Sequence, residues 1–106
     1  MTIEYGLCIL KALVEQGDMR LGNVRDPKIR SGSNMILVAA LVEGAKAVLA
    51  GYKDAWDTNK HGEPGPDDAT IAYWRGKREQ AGIAVIDSAQ AYAPRMLEAG
   101  MKVPEE

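Results

Sequence analysis

The sequence predicts an all-α protein, and three observations lead to that prediction. Apolar residues recur at three- and four-residue spacing in three separate segments, which is the period of one helix face. Strand signals are poor, because the chain has no phenylalanine and its β-branched residues rarely alternate with polar ones. Residues 61–66 are rich in proline and glycine and separate the second helical pattern from the third. Since 106 residues fit one domain, we expect a single helical domain over 1–106.

The first helix is predicted over residues 2–16. Thr2 is a suitable N-cap, because its hydroxyl can accept a hydrogen bond from a free N–H group of the first turn. Gly17 stands where a left-handed C-cap residue belongs. Cys8 has apolar neighbours on this helix and is expected to be a small core residue. The predicted apolar stripe consists of Ile3, Leu7, Leu10 and Val14.

A basic loop is predicted over residues 18–32, and it is the best candidate for an anion site. It holds four cations in eleven residues and leads through glycine and serine into the next helix. Free backbone N–H groups and the positive end of a helix dipole both favour an anion there. The predicted ligand-binding residues are Arg20, Arg25, Lys28, Arg30, Ser31, Gly32, Ser33 and Asn34.

The same loop has a simpler interpretation. Its cations could pair with Asp18 and Asp26, or with the acidic surface of a second subunit. Its glycines match neither the GxxxxGK[ST] nor the GxGxxG spacing, so a nucleoside-triphosphatase or dinucleotide site is not supported. An anion pocket formed between two subunits is a further possibility.

The second helix is predicted over residues 33–59. Its first two turns are apolar on every face, which indicates burial on more than one side. Further along, small residues recur in one register at Ala40, Gly44, Ala47, Gly51 and Ala55. Glycine within a helix costs about 1 kcal/mol relative to alanine. Two glycines in one line therefore indicate that another backbone approaches this face.

A Gly/Pro turn is predicted over 61–66, followed by a third helix over 67–93. Asp67 is the expected N-cap, and Asp68 suits the positive end of the helix dipole. Pro94 removes a backbone donor, so we expect a kink or a restart and a short helix over 94–99. Residues 101–106 are expected to fray.

Folding the second helix against the third about Gly65 predicts an antiparallel hairpin. This register places large residues opposite small ones, as interdigitating helices require. It sets Trp56 opposite Trp74 and Tyr52 opposite Arg78. One short first helix cannot cover the remaining apolar surface, so we expect a homodimer or higher oligomer. The alternative is that residues 18–34 fold back over that surface.

The aromatic end of this hairpin is the second candidate site, with Tyr73, Trp74 and Lys77 as the predicted partner-binding residues. Aromatic rings interleaved with cations can stack on bases or form a protein-binding hot spot. The commoner role of such a tryptophan pair is to seal the core, here with a cation–π contact between Tyr52 and Arg78. Tyr73 and Trp74 are neighbours on a helix, so at least one should be exposed.

Several classes are not favoured by the composition. With one histidine and one cysteine, no metal site, cofactor or catalytic group can be assembled, so we expect no enzyme. A net charge of −2 and the long predicted loop disfavour duplex DNA binding. The apolar run Met35–Val42 falls short of a membrane span, and the N-terminus lacks the features of a signal peptide. A single cysteine fits the reducing cytoplasm.

Two functions remain. The first, which the sequence favours, is a non-catalytic accessory protein that forms a homo-oligomer and acts through an unidentified macromolecular partner. The alternative is a binder of a small anionic ligand, a nucleotide or phosphate, at residues 20–34.

Overall fold

The computed structural model describes residues 1–22, 33–61 and 68–106. They form three helices: α1 (Ile3–Gly22), α2 (Ser33–His61) and α3 (Asp68–Glu98). The described residues contain no strand, and the all-α prediction is confirmed. His61 ends α2 and is not part of a turn, whereas the rest of the turn predicted over 61–66 and the predicted cap Asp67 lie outside the described residues.

Helix α1 begins as predicted and ends later. The Tyr5 backbone N–H donates to the Thr2 hydroxyl at 3.1 Å, which confirms the N-cap. The helix continues past Gln16 to Gly22, so the predicted C-cap role of Gly17 is wrong. Gly17 is buried inside the helix, where a Cβ atom would lie 2.1 Å from Val42 Cγ2. The glycine is thus explained by the close approach of α2 and not by a turn.

The core joins all three helices and the chain that follows α3. The buried face of α1 is rotated from the predicted stripe, because Ile9 and Leu13 are fully buried whereas Ile3 and Leu7 lie at its edge. Cys8 is exposed, so its predicted core position is wrong. The buried core consists of Ile9, Leu10, Leu13, Val38, Leu41, Val42, Ala45, Val85, Ala89, Met96, Ala99 and Met101.

Helices α2 and α3 contact each other near both ends. The Arg78 guanidinium lies 4.6 Å from the ring centroid of Trp56, one turn beyond its predicted partner Tyr52. At the other end, a Cβ atom on Gly44 would meet the Tyr92 hydroxyl at 2.4 Å. A tyrosine side chain, and not a second backbone, therefore fills the space beside this glycine.

Helix α3 does not restart at Pro94. It continues through this residue to Glu98, so the separate helix predicted over 94–99 is not present. Proline removes one backbone hydrogen bond, but the following turn places Met96 in the core with no exposed surface. The burial of this side chain offsets the lost bond and keeps the turn helical.

The end of α3 is a Schellman motif. Gly100 has a φ of +75°, which favours glycine, and its N–H donates to Leu97 O at 3.0 Å. The Met101 N–H donates to Met96 O at 2.8 Å, and both methionine side chains are buried. These two bonds satisfy carbonyls that the helix end would otherwise leave unpaired.

Residues 101–104 are held against α1, which differs from the predicted fraying of 101–106, whereas Glu105 and Glu106 are exposed. The Lys102 N–H donates to Gln16 Oε1 at 2.8 Å, and Gln16 Nε2 donates back to Lys102 O at 2.7 Å. The Tyr5 hydroxyl donates to Pro104 O at 2.5 Å. Because Met101 is also buried, this segment contributes both hydrogen bonds and apolar contact to the fold.

Burial is uneven along the helices. Among the residues whose burial is described, none of the buried core side chains comes from α2 after Ala45 or from α3 before Val85. The chain measures 58 × 26 × 17 Å, so it is long and thin. Its large exposed apolar residues include Ile36, Trp56, Tyr73 and Ile83. Within the described part of the chain, the outer halves of α2 and α3 are therefore less buried than the halves that form the core.

Part of α2 also meets the length and composition criteria for a membrane span. The segment Met35–Trp56 has 22 residues and a mean hydropathy of 1.7, and 22% of its apolar stretch is buried. The apolar stretch is thus longer than the eight-residue run noted in the sequence. Core helices of soluble proteins meet the same criteria, so one such segment is weak evidence for a membrane location.

Candidate functional site

Arg20, predicted to contribute to an anion-binding loop, lies in the last turn of α1 and caps another helix. Its Nη1 donates to Ala99 O, and its Nη2 donates to Gly100 O at 2.9 Å. These carbonyls follow α3, where the negative end of the helix dipole favours a cation. The backbone carbonyls thus engage both terminal nitrogens of the guanidinium, and this is a structural role that the sequence did not indicate. The prediction that Arg20 also contributes to an anion site stays a prediction.

This role predicts the effect of a substitution. Arg20→Ala should lower the free energy of unfolding by about 1–2 kcal/mol, because two charge-assisted hydrogen bonds to carbonyls are lost. Urea unfolding followed by circular dichroism measures the change. The control is Arg75→Ala, which removes an exposed arginine with no ion pair among the described residues and should cost under about 0.5 kcal/mol. If phosphate at fixed ionic strength stabilises the wild type but not the Arg20 variant, the arginine binds anions after all.

The rest of the predicted anion site is not tested by the structure. Arg25, Lys28, Arg30, Ser31 and Gly32 lie outside the described residues. Ser33 and Asn34 open helix α2, but their side chains are likewise outside the described part of the chain. Asp18, suggested as a partner for these cations, instead forms an ion pair with Lys46 at 3.1 Å.

The structure places a groove between α2 and α3. Its volume is about 550 Å³, and none of its lining residues belongs to α1. Its lining combines small side chains with three aromatic rings and several polar groups. The lining residues are Ala47, Val48, Gly51, Tyr52, Asp54, Ala55, Tyr73, Trp74, Lys77, Gln80, Ala81 and Ala84.

Three members of the predicted small-residue line, Ala47, Gly51 and Ala55, lie in this groove. A Cβ atom placed on Gly51 would meet nothing within 4 Å. The two glycines of this line thus differ. The Tyr92 side chain fills the space beside Gly44, whereas none of the described residues fills the space beside Gly51. Intramolecular packing explains the first glycine but leaves the second without a structural reason.

The aromatic residues at the end of the groove are accessible. Tyr73 is 56% exposed and Trp56 is 44% exposed, whereas Trp74 is half-buried. The Tyr73 and Trp74 rings meet edge to face at 5.2 Å, and Lys77 Nζ lies 5.5 Å from the Tyr73 centroid. The prediction that the tryptophans seal the core is wrong, because neither ring belongs to it. The expectation that Tyr73 or Trp74 is exposed is confirmed.

The sequence analysis did not identify the α3 side of this groove. Ala81, Ala84 and Gln80 come from α3, where no line of small residues was noticed. Their spacing of three and four is the available signal, since it places alanines on one helix face next to the aromatic pair. The three predicted residues Tyr73, Trp74 and Lys77 are indeed brought together at this wall.

Chemical groups typical of catalysis are scarce in the groove. Of its described lining residues, Asp54 and Lys77 carry charge, and none is a histidine or cysteine. Among the described residues, no group of three or more His, Cys, Asp or Glu side chains could hold a metal ion. The arrangement offers shape, apolar surface and aromatic edges, which are the features of a binding surface.

Comparison with known proteins finds no matching family model, no similar curated protein and no similar solved structure.

Proposed function

We propose that this protein is a non-catalytic interaction protein that forms a homo-oligomer through the groove between α2 and α3. The observation that carries the proposal is the open space beside Gly51, which lines a groove that the described helices leave unfilled. The two helices form an antiparallel hairpin in this proposal. The contacts of Arg78 with Trp56 and of Tyr92 with Gly44 support that arrangement.

Small residues are what a helix–helix interface requires at its closest point. Alanine and glycine on both walls let a neighbouring helix approach until backbones are nearly in contact. Glycine at position 51 costs about 1 kcal/mol in helix stability, so an interface that needs it explains its presence. A second copy is the simplest occupant, since a twofold axis through the groove would bring the same surface from each subunit together.

The aromatic edge of the groove is the proposed contact for a macromolecular partner. Tyr73 projects from α3 with more than half of its surface exposed, and Lys77 lies beside its ring. Tyrosine next to a cation is common in protein-binding hot spots, because the ring supplies contact area with little loss of side-chain entropy. A cytoplasmic location is part of this proposal.

The test of self-association is to fill the groove. Gly51→Leu should shift the oligomer towards the monomer by at least about tenfold in Kd, because the new side chain occupies the space left for the second subunit. Light scattering over a dilution series measures this change. Neither fold nor helix content should suffer, since the position has open space within the chain.

Gly76→Leu is the matched control. Gly76 also lies within a helix and would carry its Cβ in open space, but it does not line the groove. This variant should keep the wild-type oligomeric state. A strictly monomeric wild type, or equal behaviour of the two leucine variants, contradicts the proposal.

A further inference from the structure

A second, smaller cavity lies on another side of α2, where α1 packs beside it. It measures about 400 Å³ and is lined by six residues from these two helices. Four of them are apolar or aromatic and two are lysines. The lining residues are Leu7, Lys11, Leu49, Tyr52, Lys53 and Trp56. Of these six, Tyr52 alone also lines the groove between α2 and α3.

The apolar wall of this cavity is supported from behind. Leu7, Leu49 and Tyr52 are partly buried and pack against the core. The Trp56 ring contacts the Tyr52 ring at a centroid distance of 6.0 Å, and Arg78 lies over Trp56 at 4.6 Å. Contacts of this kind limit the rotamers open to each side chain. The cavity thus has a defined apolar surface before any ligand arrives.

The charge of the cavity has one sign. Among its described lining residues, Lys11 from α1 and Lys53 from α2 carry charge, and none is acidic. Among the described residues neither lysine has an ion-pair partner, whereas Lys46 on the same helix α2 pairs with Asp18. Glu15, one turn from Lys11, does not line the cavity. Two unpaired cations beside an apolar wall favour a ligand with an anionic end and an apolar body.

We infer that this cavity is a binding site for a small amphipathic carboxylate, with an aliphatic or aromatic body. The body would lie against Leu49 and Trp56, and the carboxylate would lie between the two ammonium groups. A compact ammonium provides a point charge and not a planar fork, so the site selects charge and apolar size more than a particular geometry. This inference is independent of the proposed self-association, which uses a different face.

Decanoate is a suitable probe, and isothermal titration calorimetry measures its binding to the full chain. Decanol retains the apolar body without the charge, and acetate retains the charge without the body. Decanoate should bind at least about tenfold more tightly than either. Methyl chemical shifts of Leu7 and Leu49 should move with decanoate, which locates the ligand within the cavity.

The variant that tests the charges is Lys11→Gln combined with Lys53→Gln. It should weaken decanoate binding by about tenfold or more and leave the circular dichroism spectrum unchanged, since both lysines are exposed. Lys46→Gln removes a lysine from outside the cavity and should leave the affinity unchanged.

Several results would overturn the inference: no decanoate binding, equal binding of decanol, or equal weakening by the Lys46 variant. Sedimentation with vesicles of phosphatidylglycerol tests whether the protein binds a membrane surface and not a free carboxylate. Vesicle binding that survives the double lysine substitution, without binding of free decanoate, would assign the apolar surface to lipid contact and contradict a carboxylate site.

Discussion

Replacement of Gly17 by alanine is expected to destabilise the protein by about 1–3 kcal/mol, although alanine is the better helix former. The new methyl group would lie 2.1 Å from Val42 Cγ2 and 3.6 Å from Val38 Cγ1. Val42 is buried, and a β-branched side chain in a helix has one strongly preferred rotamer, so it cannot move aside without cost. Helix α1 must instead shift away from α2. Urea unfolding measures the difference.

Two further variants make this test specific. Gly76→Ala adds the same methyl group to a helix at a position with open space and should stabilise by about 0.5–1 kcal/mol. In the double variant Gly17→Ala with Val42→Ala, the loss from the first change should be partly recovered, because the clashing methyl group is gone. Stabilisation by Gly17→Ala alone would show that α1 and α2 do not approach as closely as described.

Replacement of Leu13 by alanine is expected to cost about 2–5 kcal/mol. Leu13 has no exposed surface and lies at the centre of the face that α1 presents to the other helices. Its loss removes apolar contact and leaves a cavity between packed helices. Since small domains have unfolding free energies of about 5–15 kcal/mol, this variant loses a large part of its stability.

Leu97→Ala is the control for this substitution. The side chain of Leu97 is 63% exposed, near the end of α3, so its truncation should change the unfolding free energy by less than about 0.5 kcal/mol. Thermal unfolding of the two variants beside the wild type gives the comparison. Similar midpoints for both would mean that α1 does not share a core with α2 and α3.

Helix α2 is the common element of both proposals. On one side its small residues face an unfilled groove, and on another its Lys53 and Trp56 border a cationic cavity. The two sites can be tested separately by mutation, because Gly51 lines the groove but not the cavity, and Lys53 lines the cavity but not the groove. Loss of self-association in Gly51→Leu should therefore leave carboxylate binding in place.

The sequence predicted helix boundaries that depend on interactions between residues a few positions apart. Thr2 caps α1 because a hydroxyl three residues before a free N–H makes the same bond in any context. The left-handed glycine at position 100 ends α3 by the same kind of local interaction, although the sequence analysis ended the third helix at residue 93. Gly17 carried the same signal and misled, because a glycine that permits a turn is indistinguishable in sequence from one that permits close packing.

The sequence did not predict contacts between residues that lie far apart along the chain. Arg20 reads as part of a basic cluster, and only the fold brings the C-terminal carbonyls at Ala99 and Gly100 within its reach. Residues 101–104 carry no helical pattern, yet Gln16 and Tyr5 hold Lys102 and Pro104 by hydrogen bonds across the surface of α1. Cationic charge was visible in the sequence, but its use as a helix cap was not.

The sequence by itself determined the helical class, the start of α1 and the grouping of Tyr73 with Trp74 and Lys77. These depend on periodicity and on interactions within a few residues. The tertiary structure decided beside which glycines a neighbouring side chain fills the space. It also decided which of the described cations have no ion-pair partner and which face of α2 borders an unfilled groove. Those properties depend on distances between helices, and the spacing of residues along one helix contains no information about them.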